Sequence, residues 1–327
     1  MQAPILGRDR HGAVVTNFGC SADGMIGAMA TLNWPPLPYS EWESTRDTVH
    51  MWTQIVGKTR MALAPLENHW WNVPLYVTPR GLTTSPIPWR GETFEIEFDF
   101  IAHQLLFAVS NGGQASMRLF PRSVADFYAE YLGTLRSLGI EARIYRRPVE
   151  FDDTTPFDED RHHASYDAQY VERFRRILVN CDRVFKDFRS RFLGKCSPVH
   201  FFWGSFDLAV TRFSGRRAPA KEGADPITRE AYSHEVASCG FWPGDRRYKQ
   251  AAFYAYSAPV PPGLEGEPVR PSAAHWSAPL GEFILNYDGV RSASSPDQAV
   301  LDFCQSAYEA GAKLAQWDRE NLERHDS

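Results

Sequence analysis

The chain has 327 residues, of which 43% are hydrophobic, 13% are aromatic and 23% are charged, with a formal net charge of -5. This composition is typical of a chain with a large packed core and excludes an intrinsically disordered one. The mildly acidic balance argues against a nucleic-acid partner and against an anionic membrane surface. No apolar run approaches the ~18 residues that a transmembrane helix needs.

The N-terminal segment, residues 1–36, shows no helical or strand periodicity, and we predict that it is an irregular leader. It lacks the basic start and long apolar core of a secretory signal peptide. The five cysteines are odd in number and include no CxxC pair, which is typical of reduced thiols. These features together predict a cytoplasmic protein.

Residues 37–145 are predicted to form a first half of helices and strands. Ser40 and Glu43 have the spacing of a capping box, and apolar residues follow at helical spacing. Gly57 offers a left-handed stop, so we predict a helix over 41–56. Short apolar or alternating runs then predict strands at 73–78, 94–100, 104–109 and 116–120.

Side-chain caps mark two later helices. Ser123 and Asp126 form a second capping box in front of a helix predicted over 124–138. Asp167 can cap a long amphipathic helix over 168–193.

Between the halves lies an acidic crossover, residues 146–168, whose "DEDRHH" run could hold a cation but is more typical of a solvated loop. The second half, residues 169–320, continues with a predicted final helix over 296–314 that a proline opens. Its strand patterns are at 205–213, 251–256 and 282–287.

Two stretches suggest an internal duplication. "HWWNVPLYVTPRG" begins at His69 and "HFFWGSFDLAVTRFSG" begins at His200, and each leads from histidine through aromatic residues to Val-Thr and Arg. Both halves also follow the order helix, strands, helix. We therefore predict an α+β fold of two duplicated helix–antiparallel sheet–helix units, related by a pseudo-two-fold axis, with a cleft between them.

Several long runs resemble a bacterial family catalogued as a domain of unknown function: "GLTTSPIP", "FDEDRHHASYD", "HFFWGSFDLAVTRFSGR" and "REAYSHEV". The resemblance covers about residues 37–320 and leaves out the leader. It implies a single cytoplasmic bacterial unit. Because the family has no assigned activity, cofactor or catalytic residue, the resemblance implies no functional residues.

The predicted cleft supplies the candidate ligand-binding residues. Histidines that open equivalent stretches can converge between the halves, arginine forks can bind a carboxylate or phosphate, and tryptophan rings can stack on a ligand. The candidates are His69, Trp71, Arg80, Trp203, Arg212 and Arg216. They predict a small anionic or aromatic metabolite as the ligand.

The candidate catalytic residues are His200, His234 and Glu235. A histidine can act as general base while an arginine anchors an anion. His234 and Glu235 have no counterpart in the first half and are expected in a solvent-exposed loop. Together with His69 and His200 they could form a two-His, one-Glu metal site, although their spacing matches no metal-binding motif.

A non-catalytic structural or interaction protein remains the alternative. In that case the arginines would form ion pairs, with Asp207 as one partner, and the histidines would belong to the core. The basic helix over 168–193 would be a docking face or a solvated surface. The sequence indicates neither a cofactor nor an oligomeric state, and it leaves open whether the protein is an enzyme.

Overall fold

The computed structural model describes residues 34–220 and 222–324, so the predicted leader lies almost wholly outside the described residues. Within these ranges the chain forms seven α-helices and two antiparallel sheets of six strands each, which confirms the α+β class. No helix in the described part of the chain has both the length and the apolar character to cross a membrane.

The elements are named here in chain order. The helices are α1 (Tyr39–Leu63), α2 (Val124–Ser137), α3 (Ala168–Ser190), α4 (Pro226–Ala231), α5 (Tyr287–Arg291), α6 (Pro296–Leu314) and α7 (Arg319–Leu322). The first-half strands are β1 (Tyr76–Val77), β2 (Gly81–Thr83), β3 (Ile87–Trp89), β4 (Glu92–Asp99), β5 (Gln104–Val109) and β6 (Gln114–Arg118). The second-half strands are β7 (His200–Phe202), β8 (Asp207–Arg217), β9 (His234–Trp242), β10 (Ala252–Ala258), β11 (His275–Ser277) and β12 (Glu282–Asn286).

The first sheet has the strand order β1-β2-β4-β5-β6, and β3 also pairs with β4. Phe94, Ile96 and Phe98 alternate along β4 and are buried, whereas the acidic residues between them are half-buried. The alternation predicted from the sequence is therefore that of a strand with one face in the core.

The second sheet has the order β11-β12-β10-β9-β8-β7. Helices α3 and α6 pack together and against strands of this sheet, and residues of the two helices and the sheet belong to one hydrophobic core.

The two sheets meet at their edge strands. The amide of Leu75, just before β1, donates to the carbonyl of Phe201 in β7 at 2.9 Å, and the reverse bond is 2.8 Å long. We call this backbone pair the seam. It places the two histidine-led stretches beside each other.

Helix α1 is buried along residues 45–60 although many of its side chains are polar. These side chains bind the backbone of the crossover. The Gln54 amide donates to the carbonyl of Val149 at 2.8 Å and accepts from its N–H at 2.9 Å, and Lys58 donates to the carbonyl of Arg147 at 2.5 Å. The irregular crossover is thus held by hydrogen bonds from a buried helix.

Two predictions about α1 are wrong. The helix begins at Tyr39, with Pro38 as its N-cap and no side-chain cap, so Ser40 lies inside the first turn. It also continues through Gly57. A Cβ at that position would lie 2.2 Å from the Trp203 ring, so the glycine serves close packing rather than a helix stop.

The other two predicted caps are confirmed. The Ser123 hydroxyl accepts from the amide of Asp126 at the start of α2, and the Asp167 carboxylate accepts from the amides of Gln169 and Tyr170 at the start of α3. Each cap satisfies amides that have no partner within the helix.

The prediction of a loop at His234 and Glu235 is also wrong, since both residues begin the long strand β9. The two histidine-led stretches follow different local paths. His69 lies in a 3-10 turn, Asn68–Trp70, with φ of 59°, whereas His200 begins the β7–β8 hairpin. The internal duplication stays a prediction.

Candidate functional site

Four of the predicted side chains lie in contact beside the seam. The His69 and Trp71 ring centroids are 5.6 Å apart, those of Trp71 and His200 are 5.8 Å apart, and those of His69 and His234 are 5.6 Å apart. The structure therefore brings together three histidines and one tryptophan from the two halves of the chain.

The turn that carries His69 fixes the orientation of its ring. His69 and Trp70 both have positive φ, near 60°, a conformation that side chains rarely adopt. The Nδ1 atom of His69 lies 3.1 and 3.2 Å from the carbonyl oxygens of Glu230 and Ala231 at the end of α4. Because carbonyl oxygens only accept, Nδ1 carries the proton and Nε2 carries the lone pair.

His200 is the most enclosed member of the group. It is 1% exposed, and its Nε2 atom has no hydrogen-bond partner. The rings of Trp71 and Tyr76 meet the imidazole edge-on. Burial, reinforced by the charges of Arg60 and Arg189, lowers the pKa of His200 to about 3, so this imidazole is neutral at physiological pH.

Two cations lie next to these rings. Arg60 of α1 is 4% exposed, and its guanidinium carbon is 5.3 Å from the centre of the Tyr76 ring. The exposed Lys195 places Nζ 5.1 Å from the ring centres of both Trp71 and Phe213. Burial, followed by the Lys195 charge, lowers the pKa of His69.

Sequence reasoning missed Arg60 and Tyr76. Arg60 falls after the helix stop that was predicted at Gly57, so it was not expected to lie on a buried helix. A search for cations at helical spacing beyond that glycine would have found it. We call the full group the seam cluster: Arg60, His69, Trp71, Tyr76, Lys195, His200 and His234.

Several donors in and beside the seam cluster have no acceptor. They are Nε of Arg60, Nδ2 of Asn72 and Nε1 of Trp70, all shielded from solvent. A buried donor without an acceptor is unfavourable, so a ligand that supplies acceptors would be stabilised here. Trp71, Tyr76 and His234 are only half-buried, so the cluster reaches the surface on that side.

The structure places other predicted ligand-binding residues outside this cluster. Arg80 is half exposed and forms an ion pair of 2.6 Å with Asp99. The Trp203 indole donates to the carbonyl of Val73 at 2.8 Å and packs on Gly57. Both side chains are held by the protein itself.

Arg212 and Arg216 also lie elsewhere. Arg212 is fully buried between helices and sheet, with its guanidinium carbon 3.5 Å from the Phe188 ring centre and 4.3 Å from that of Tyr308. Arg216 forms an ion pair of 2.7 Å with Glu235.

The predicted two-His, one-Glu set is not assembled. Successive residues of a strand point to opposite faces, so Glu235 points away from the face that carries His234 and toward Arg216. In residues 34–220 and 222–324, no group of three histidine, cysteine, aspartate or glutamate side chains is placed to hold a metal ion.

Asp207 does not pair with an arginine. Its carboxylate accepts from the hydroxyls of Ser205 and Tyr254, and burial raises its pKa. On β12, burial and the charge of Asp207 raise the pKa of Glu282 to about 7. The expectation of an Asp207–arginine pair is therefore wrong.

The "DEDRHH" run is only partly the solvated loop that was expected. Asp160 and His163 are 3% and 6% exposed, and Nδ1 of His163 lies 2.8 Å from the Asp160 carboxylate. Half of the basic side chains of α3 form ion pairs with acids on the same helix; the pairs are Arg175 and Arg176 with Glu172 and Lys186 with Asp182. The cap residue Arg191 pairs with Asp187, and Arg183 pairs with Asp297 of α6. Such pairing favours a solvated surface over a docking face.

A cavity of about 380 Å³ lies at the start of α1, and no member of the seam cluster lines it. Its charged wall residues are Glu43, Lys249 and Asp288. Glu43 also lies 3.9 Å from Arg246, and Asp288 pairs with Arg291 at 2.6 Å. Both acids are therefore already paired with cations.

No curated protein and no solved structure matches the chain. Residues 34–324 match a family described as "Family of unknown function (DUF5996)". Since this match spans all but the first 33 and last three residues, the chain belongs to that family.

Proposed function

We propose that the protein binds a small anionic or aromatic metabolite at the seam cluster, between the two halves of the chain. One observation carries the proposal. The buried imidazole of His200 meets the rings of Trp71 and Tyr76 edge-on, and its Nε2 has no hydrogen-bond partner. Aromatic walls around a few convergent polar atoms are typical of small-molecule sites.

Proton transfer on the bound metabolite is a second candidate function, which the tautomer of His69 favours. Its Nδ1–H is held by two carbonyl oxygens, which leaves Nε2 as a base. A lowered pKa keeps this imidazole neutral and able to accept a proton at physiological pH. His200 and His234 supply two further imidazoles on the same cluster.

The proposal includes a cytoplasmic location. All four cysteines in the described ranges are free thiols: Cys181, Cys196, Cys239 and Cys304. Free thiols are typical of a reducing compartment. The proposal also includes an internal duplication, supported by the order helix, antiparallel sheet, helix that both halves share.

Native mass spectrometry of the purified chain tests the proposal. We expect a small molecule to remain bound to the wild type and to be lost from Trp71→Ala, which removes one aromatic wall. Trp276→Ala is the matched control, because that half-buried tryptophan packs on Phe283 in β12 instead. Retention of the same molecule by Trp71→Ala, or no bound molecule in the wild type, would contradict the proposal.

A further inference from the structure

We infer that the ligand of the seam cluster is an aromatic monocarboxylate, and that Arg60 binds its carboxylate group. This inference rests on the proposed function and adds the chemical class of the ligand. It depends on the charge of Arg60 and on the rings beside it.

Arg60 is a buried cation without an anionic partner. Its guanidinium donates to the carbonyl of Thr84 and, at 2.8 Å, to the hydroxyl of Ser85, both of which are uncharged. The described part of the chain places no carboxylate within 4 Å of it. A buried charge is unfavourable unless it is paired, so an incoming carboxylate would be stabilised.

The nearest acid does not fill this role. Burial lowers the pKa of Arg60, while Tyr76 and then the charge of the exposed Glu67 act in the opposite direction; Glu67 and Arg60 form no ion pair. The Nε–H of Arg60 therefore remains without an acceptor. A carboxylate at this atom would accept a charge-assisted hydrogen bond.

The rings next to Arg60 favour an aromatic acid over a small inorganic anion. Tyr76 contacts both residues, with its ring centre 5.3 Å from the Arg60 guanidinium and 5.5 Å from the His200 ring. The Trp71 ring also meets His200, with the ring centres 5.8 Å apart. A ligand whose carboxylate is attached directly to an aromatic ring can pack that ring on these side chains and bind Arg60 at the same time.

Other buried arginines differ from Arg60. Arg46 and Arg122 form ion pairs with Asp47 and Glu130. Arg212 lacks a carboxylate, but the Phe188 and Tyr308 rings already lie against its guanidinium. Arg122 also lies 5.3 Å from a solvent-exposed ring, that of Phe120, but it is paired with Glu130. Among these cations, Arg60 is the one that combines a solvent-accessible aromatic wall with the absence of a carboxylate partner.

Isothermal titration calorimetry on the full chain tests the inference with benzoate, acetate and benzyl alcohol. We expect benzoate to bind more tightly than acetate, which lacks the ring, and than benzyl alcohol, which lacks the charge. Arg60→Gln should weaken benzoate binding roughly tenfold to a hundredfold, because a charge-assisted hydrogen bond is lost, and should leave benzyl alcohol unchanged. Arg122→Gln, another buried arginine with an unpartnered Nε, is the control and should change neither affinity.

The outcomes separate this inference from the proposed function. Equal binding of benzoate and benzyl alcohol, sensitive to Trp71→Ala but not to Arg60→Gln, would overturn the carboxylate inference and leave the proposed function standing. Binding of neither aromatic compound would overturn the carboxylate inference, while the mass-spectrometry result decides the proposed function separately. If Arg60→Gln does not fold, Arg60→Lys keeps the charge but loses the planar set of donors. It should weaken benzoate binding more than Arg122→Lys does, and unchanged benzoate affinity would contradict the inference.

Discussion

Two buried histidines, one in the crossover and one at the seam, have opposite surroundings. His163 lies 2.8 Å from the Asp160 carboxylate; burial lowers its pKa, but the hydrogen bond and charge of Asp160 outweigh burial and leave the pKa raised. At His200, burial and then the charges of Arg60 and Arg189 lower the pKa to about 3.

The difference separates a histidine that the chain pairs with a carboxylate from one that it places beside arginines, although Nε2 has no hydrogen-bond partner in either ring. In the crossover, the chain supplies both partners of the interaction. At the seam, it supplies aromatic walls, a neutral imidazole and an arginine whose Nε donor has no acceptor. Buried polar groups in folded proteins are nearly always paired, so the seam is where a ligand would complete the structure.

The largest expected effect is on the crossover pair. His163→Gln should lower the free energy of unfolding by about 3 kcal/mol, because Asp160 would stay buried without a cation. Urea unfolding at pH 6 measures the change. His162→Gln, at the exposed neighbouring position, is the control and should change stability by less than about 0.5 kcal/mol. Equal effects of the two substitutions would show that the Asp160–His163 pair is not stabilising.

A smaller effect is expected from the seam histidine as pH falls. The folded-state pKa of His200, about 3, lies below its ordinary value of 6.5, so this neutral imidazole contributes stability above pH 6.5 that is lost as the pH falls toward 3. The charges that face it are Arg60 of α1 and Arg189 of α3.

His200→Phe should remove that dependence. Between pH 6 and pH 5, the unfolding free energy of the wild type should fall faster than that of the variant by up to about 1.4 kcal/mol per pH unit. Urea unfolding at several pH values checks this. The crossover pair has the opposite sign, since the stabilisation from the raised pKa of His163 is lost as the pH rises above 6.5. Parallel pH profiles for the wild type and His200→Phe would contradict the comparison.

The parts of the fold that depend on residues close together in the chain could be predicted from the sequence. The Ser123 and Asp167 caps act within one turn, and the alternation of β4 is visible in seven residues. Strand β9 was missed because small residues interrupt any alternation. The structure gives the reason at Gly240, where a Cβ would lie 2.4 Å from the Tyr254 side chain of the next strand.

The seam could be predicted only in part. The repeated pattern after His69 and His200 indicated that the two stretches were related, and their rings do lie near each other through Trp71. The Leu75–Phe201 pairing joins residues more than 120 positions apart, and no local pattern indicates it. The role of Arg60 depends on that distant pairing and on the continuation of α1 past Gly57, so it required the structure.

A crystal structure of the protein grown with 4-iodobenzoate tests the central claim most directly, because iodine scatters anomalously and reports its own position. We predict an anomalous peak beside Tyr76 and Trp71, with the carboxylate at hydrogen-bond distance from Arg60 Nε. A peak found only in the cavity at the start of α1, or only on the outer surface, would contradict the claim that the seam cluster is the ligand site.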